Sequence, residues 1–311
     1  MPISQIRITD GAIKPLAPDA SRPDPERGMV WLDLSAPTEA DLAFLAREYR
    51  FHPLAIEDCR NFNQRAKVES YDDYLFMSLT TTARRDHELA PQEIEVFLGA
   101  DYLITVHREP FAAFDAARRH CNEQTRPDFV LYLITDHMVD VYFPLLDEMD
   151  DEIDALEDEI LENATQDTMH HIFKLKQQLV FLRKITAPMR EVMNTLAGTR
   201  YGVIDEHTAL YFRNTYDHLV RIYDLIETSR DLLGNALDAY LSTVSNRLNE
   251  VLKRLTLIAT IFMPISFLVG FGGMNFQQLP FDKPIAFLIM LTLLVAVPLG
   301  MLIWFRKSKW V

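Results

Sequence analysis

LTLIATIFMPISFLVGFGGMNFQQLPF, residues 255–281, carries no charged side chain, and neither does PIAFLIMLTLLVAVPLGMLIWF, residues 284–305. A helix needs roughly 20 mostly apolar residues to cross about 30 Å of hydrocarbon. Each stretch is long enough, and spans are expected at about 255–273 and 284–305. Only Asp282 and Lys283 separate the two stretches, a link too short for a domain, so they form a hairpin in the lipid bilayer. Lys253 and Arg254 precede the first span, and Arg306, Lys307 and Lys309 follow the second. Positive charge stays on the cytoplasmic side, which places both termini there and the hairpin in an inner or plasma membrane. Two spans cannot wall a hydrated ion path, so a channel built from them must be a homo-oligomer.

The rest of the 311 residues reads differently. Between about Met29 and Arg108, β-rich runs (Val30 to Leu34, Tyr74 to Thr81, Ile94 to Phe97, Leu103 to Val106) alternate with helical stretches such as Thr38 to Tyr49. From about Asp128 onward helix formers dominate. The expected fold is an α/β cytoplasmic domain over residues 1–125, a long-helix stalk region over 126–250, and a transmembrane domain with a basic tail over 251–311. The N-terminal stretch Met1 to Arg22 is polar and has no apolar signal core, so this part is expected to stay in the cytoplasm. Cys59 and Cys121 offer neither a disulfide framework nor zinc spacing. A net charge of -14 argues against nucleic acid and in favour of cations as partners. Asp147 to Glu162 holds ten acidic residues and no basic one, whereas Lys174, Lys176, Arg183, Lys184 and Arg190 follow. An antiparallel pair of helices would set these charges face to face; a solvated or cation-attracting acidic face is the other reading.

One pattern runs from the cytoplasm into the first span. Alternating steps of three and four residues give Asp217, Arg221, Asp224, Thr228, Asp231, Asn235, Asp238, Ser242, Ser245 and Asn249, then Leu252, Thr256, Ala259, Met263, Ser266 and Gly270. This is one face of one helix. Beside it, Leu233, Leu237, Leu241, Val244, Leu248, Val251 and Leu255 form an apolar seam. A solvated polar face would explain the cytoplasmic half alone, but polar groups at membrane depth face a bundle interior or a water-filled cavity. A parallel ring of such helices makes a pore, with carboxylates at Asp238 and a narrow neck at Leu252 and Met263, where apolar constrictions gate by dewetting. Pro264 removes the hydrogen bond to the Thr260 carbonyl, which predicts a local bend or a free carbonyl. At the outer end, Gly272 and Gly273 let the chain leave the helix, and Asn275 offers a neutral oxygen to a hydrated cation such as Mg²⁺, which dehydrates reluctantly.

The run Gly273, Met274, Asn275 resembles the signature of the CorA family of magnesium channels. Ile261, Phe262, Met263 and Pro264 are similar to the family's first span, and Tyr211, Phe212 and Arg213 with Tyr216, Asp217 and His218 to its stalk helix. His52, Pro53, Leu54, Glu57, Asp58, Arg65, Lys67 and Glu69 extend the likeness, as does the end Lys309, Trp310. The resemblance implies a funnel-shaped homopentamer whose stalk helix continues into the pore, with Gly273, Met274 and Asn275 as selectivity filter. It implies inward conduction of Mg²⁺, often also Co²⁺ or Ni²⁺, and closure by cytoplasmic Mg²⁺ bound between subunits near Glu57 and Asp58. Two positions depart from the family pattern. Asn214 stands where the second sensing acid is usual, and the loop Phe276 to Phe281 lacks acids.

A zinc-transporting branch of the same superfamily is the nearest alternative, although a zinc path should offer His or Cys ligands and the stripe has none. A membrane-anchored enzyme or scaffold is the alternative of another class; no Walker-type loop, His-Glu-x-x-His pair or nucleophile elbow occurs, and no organic cofactor is expected. Without an ATPase site, transport is passive. A divalent ion gains about 4.6 kcal/mol per 100 mV, twice the single-charge value.

Overall fold

The four expected β-rich runs become strands, and pairing recruits three more. In this computed structural model, which describes residues 4–9, 12–16, 29–62, 64–85, 88–121, 125–198, 201–274 and 284–308, they are β1 (Ser4–Thr9), β2 (Ala12–Leu16), β3 (Val30–Ser35), β4 (Lys67–Ser70), β5 (Leu75–Arg85), β6 (Glu88–Leu98) and β7 (Tyr102–His107). Among the described residues they form one sheet of order β2-β1-β3-β7-β6-β5-β4, in which only β3 and β7 run parallel. Strands β1, β2 and β4 lack a long apolar run and owe their form to a neighbour's ladder, so sequence periodicity does not announce them.

Helices α1 (Glu39–Glu48) and α2 (Pro53–Arg60) cover one face of the sheet. Thr38 and Asp41 close a capping box at the start of α1. Arg50 takes a left-handed φ of 57° between the two helices. That turn brings Phe51 onto Phe97 with ring centroids 4.0 Å apart, which fixes where α2 begins. Pro53 at its first turn and the His52 ring, which accepts from the Leu54 amide, start α2. Buried Ala55, Ile56 and Cys59 then hold it to the sheet.

Five further helices follow: α3 (Ala112–His120), α4 (Pro127–Asp140), α5 (Tyr142–Asn163), α6 (Gln166–Leu196) and α7 (Glu206–Gly272), and then α8 (Pro284–Lys307) ends the described chain. The chain forms two compact units, Met1–Glu159 with Thr165–Leu237, and Ile160–Ala164 with Asp238–Val311. Segment type changes near residues 125 and 250, but compactness divides elsewhere, because α4 and α6 lie directly on the sheet. The Thr81 hydroxyl donates to the Met138 carbonyl at 2.8 Å, and the Thr80 amide to the Met189 sulfur at 3.3 Å. The apolar window within Pro127–Asn163 is long enough for a span, yet half of it is buried inside the first unit. It is a core segment.

The expected seam is only partly filled within one chain: Leu233 is buried and Leu237 half-buried, while Leu241, Val244, Leu248, Val251 and Leu255 are exposed and left for neighbours. The seam actually filled by the chain itself is Phe212, Thr215, Leu219, Ile222, Ile226, Ser229, Leu233 and Ala236, the same three-four spacing on a different face. The α5 acids do not meet the α6 lysines and arginines. Helix α5 buries Met149, Ile153, Leu156 and Ile160 and turns most of its acids to solvent, while Glu152 reaches His171 at 3.3 Å and Glu148 reaches Arg84 at 2.6 Å. Arg183 pairs with Glu227 of α7 at 2.8 Å, and Arg190 lies over the Tyr223 ring.

Candidate ion pathway and regulatory site

Helix α7 runs unbroken over 67 residues, so the cytoplasmic and membrane parts of the polar stripe belong to one helix. Every stripe position from Asp217 to Gly270 is exposed, including Asp238, Asn249, Leu252, Thr256, Ala259, Met263, Ser266 and Gly270. Met263 is 73% exposed. Within the span the covered residues are others: Leu257, Thr260, Ile261, Pro264, Ile265, Leu268 and Gly272 are half-buried. At 3.6 residues per turn the centres of these two faces lie roughly 150° apart.

Helix α8 supplies the cover. Its own half-buried or buried face is Ala286, Met290, Leu294, Val297, Pro298, Met301 and Phe305. Gly272 is small because Met290 occupies the space that a Cβ would take. Pro264 leaves the helix intact, and the Thr260 hydroxyl donates to the Thr256 carbonyl at 2.7 Å, an internal bond that spares a polar group at membrane depth. Helix α7 stops at Gly272, where the Gly273 amide bonds the Val269 carbonyl at 3.0 Å. Met274 is exposed just beyond. Asn275 and the loop to residue 283 lie outside the described residues.

Below the membrane, Arg247 donates to the carbonyls of Ala164 (2.8 Å) and Glu162 (3.3 Å). A cation there satisfies carbonyls left open at the end of α5. The sequence offered no sign of this contact, since its two partners are more than eighty residues apart.

Asp58 on α2 and Asn214 on α7 are not brought together within one chain; Asn214 and Glu57 are exposed, and Asp58 is half-buried. Among the described residues no three His, Cys, Asp or Glu side chains converge as metal ligands. Asp58 is instead paired with Lys67 at 2.8 Å, and Lys67 with Glu69 at 2.6 Å. The Tyr71 hydroxyl donates to Glu69 at 2.9 Å. Partial burial works against the Lys67 charge, but the bonds to Asp58 and Glu69 outweigh it and hold its pKa above the ordinary lysine value. Beneath them Glu95 is fully buried, with Ser78 donating to one oxygen at 2.6 Å and the other unpartnered. Burial raises its pKa to about 8, and the nearby Asp58 charge adds to the rise. Nothing in the sequence marks Glu95 as interior; only the sheet register does.

The profile of the family described as "CorA-like Mg2+ transporter protein" matches residues 26–307. The "Cobalt/magnesium transport protein CorA" of Thermotoga maritima is 37% identical over 291 residues, covering 90% of this chain and 83% of that protein. The "Putative metal ion transporter YfjQ" of Bacillus subtilis is 32% identical, covering 92% and 91%. The fold is also that of the complete CorA magnesium transporter from Methanocaldococcus jannaschii, with a TM-score of 0.87 over the whole of both chains at 22% identity. Two terminal apolar helices, an α/β domain on long helices, and a family match across nearly the whole length lead to one conclusion: the chain belongs to the CorA-like Mg²⁺ transporter family.

Proposed function

We propose that this chain is one subunit of a homopentameric, passive channel that admits Mg²⁺ down the membrane potential and closes when cytoplasmic Mg²⁺ binds near Asp58. The observation that carries this reading is the stripe on α7: mostly polar or small, exposed at every position, and centred roughly 150° from the covered face inside the membrane. A face left open by its own hairpin needs a partner more polar than lipid, and water in a pore between copies supplies one. Asp238 forms a carboxylate ring that concentrates divalent ions by its field. Leu252 and Met263 form the neck, and Asn275 holds the hydrated ion at the outer mouth through neutral oxygens that do not trap it. The stripe's freedom from His and Cys favours Mg²⁺ over Zn²⁺.

The test is uptake into liposomes holding the purified protein, with a negative interior potential and Mg²⁺, Co²⁺, Ni²⁺ and Zn²⁺ offered in turn. Potential-dependent Mg²⁺ uptake, lowered in an assembled Asp238→Ala variant, is expected. Absence of flux would support a scaffold, and preferred Zn²⁺ uptake a zinc path.

A further inference from the structure

Asp58 already holds a cation. Its carboxylate lies 2.8 Å from the Lys67 ammonium and its side chain is 15% exposed. The backbones of both residues are anchored. Asp58 sits in α2 between buried Ile56 and Cys59, and Lys67 sits in β4, paired with Ser78 of β5. What remains free to move is the Lys67 side chain, which has other acids to turn to. Glu69 also binds it, at 2.6 Å. The pairings Lys67 with Ser78 and Ser78 with Glu95 also put Lys67 and Glu95 in one cross-strand row, on one face of the sheet. One Glu95 oxygen in that row has no partner. A lysine driven from Asp58 therefore keeps the Glu69 carboxylate as its counter-charge and has the open Glu95 oxygen as a further acceptor.

We infer that Lys67 is a tethered competitor for the divalent cation at Asp58: its ammonium occupies the carboxylate until the ion displaces it, and so sets the cytoplasmic Mg²⁺ level at which the pathway closes. The inference rests on the reading of Asp58 as the sensing carboxylate. A divalent ion outbids a single charge at equal distance, but it binds only where its concentration offsets the ion pair that is lost. Asn214 acts in the same direction, since an amide attracts Mg²⁺ less than a carboxylate does.

The experiment titrates Mg²⁺ against protease protection of the full-length oligomer in detergent, with assembly checked by size exclusion. Lys67→Met is expected to lower the protecting Mg²⁺ midpoint about threefold, the scale of one partly exposed ion pair. Lys67→Gln should do the same, and Lys67→Arg, which keeps the charge, should restore most of the midpoint. Asp58→Asn should raise the midpoint, and in that background Lys67→Met should shift it no further, which separates competition at Asp58 from a general loss of positive charge. If Asp58→Asn raises the midpoint while neither neutral Lys67 variant lowers it, or if Lys67→Met acts equally in both backgrounds, the competition is refuted and Asp58 stands as sensor. If Asp58→Asn changes nothing, the sensing role itself fails and the inference falls with it.

Discussion

The two halves of α7 obey the same three-four spacing and are covered in opposite ways. From Phe212 to Ala236 the helix buries a regular seam inside its own chain. From Leu241 onward most of it is exposed and none of it fully buried, and apolar Leu248, Val251 and Leu255 are each more than half exposed. The first half is stabilised by its own chain. The second carries more apolar surface than a soluble monomer leaves open, and on the proposed reading its cover is lipid, α8 and further copies. Periodicity alone marks a face; it does not say whether the partner is the same chain, another copy or water.

The sharpest break in this contrast lies at the outer end of the open half. Asn275→Ala should abolish Mg²⁺ uptake in an oligomer that still assembles, measured by a liposome reporter. Asn275→Asp should bind divalent ions more tightly and alter flux, whereas a residue that merely capped the helix would tolerate the change.

Within the helix, the halves should respond to the same kind of truncation differently. Ile222→Ala should cost the first unit about 2–5 kcal/mol, as for a fully buried aliphatic side chain, read by urea unfolding through the buried Trp31. Leu248→Ala, 58% exposed in one chain, should leave that transition within about 0.5 kcal/mol and weaken oligomer assembly instead. Equal effects would erase the distinction.

Much of this was legible in the residues. The uncharged stretches 255–281 and 284–305 and the stripe announce themselves because composition and spacing are local properties, and the four apolar runs became β3, β5, β6 and β7. The seam that α7 fills inside its own chain below Leu233 was not legible, because Thr215 and Ser229 sit in it and a polar residue in a packed row hides its period. Ser229 satisfies itself on Asp150 at 2.6 Å. The ion pair between Asp58 and Lys67 and the burial of Glu95 follow from strand register, which no single stretch of sequence encodes.

A smaller effect concerns the sensor. Asn214→Asp, on the exposed face of α7, should lower the Mg²⁺ level needed for protease protection severalfold, because Mg²⁺ gains a second carboxylate. An unchanged midpoint would place the sensor elsewhere.

A pH effect is confined to the first unit. Burial raises the Glu95 pKa from 4.5 to about 8, so the folded state holds a proton that the unfolded state loses. Stability is then fullest below about 4.5 and declines as pH rises toward about 8. Glu95→Gln should flatten that decline in urea midpoints measured across this range, and a persisting slope would assign it to another group.

The most direct test of the central claim, that the exposed stripe of α7 faces water in a pore, is thiol accessibility in the membrane. Single cysteines at Thr256, Met263 and Ser266, and at Ile258 and Leu268 off the stripe, are introduced into a protein in which Cys59 and Cys121 have been replaced. A membrane-impermeant charged thiol reagent is then applied to open channels in liposomes. A pore-lining stripe predicts modification and loss of Mg²⁺ flux at the three stripe positions, with Ile258 and Leu268 unreactive; reaction at Ile258 and Leu268 equal to that at Met263 would contradict it.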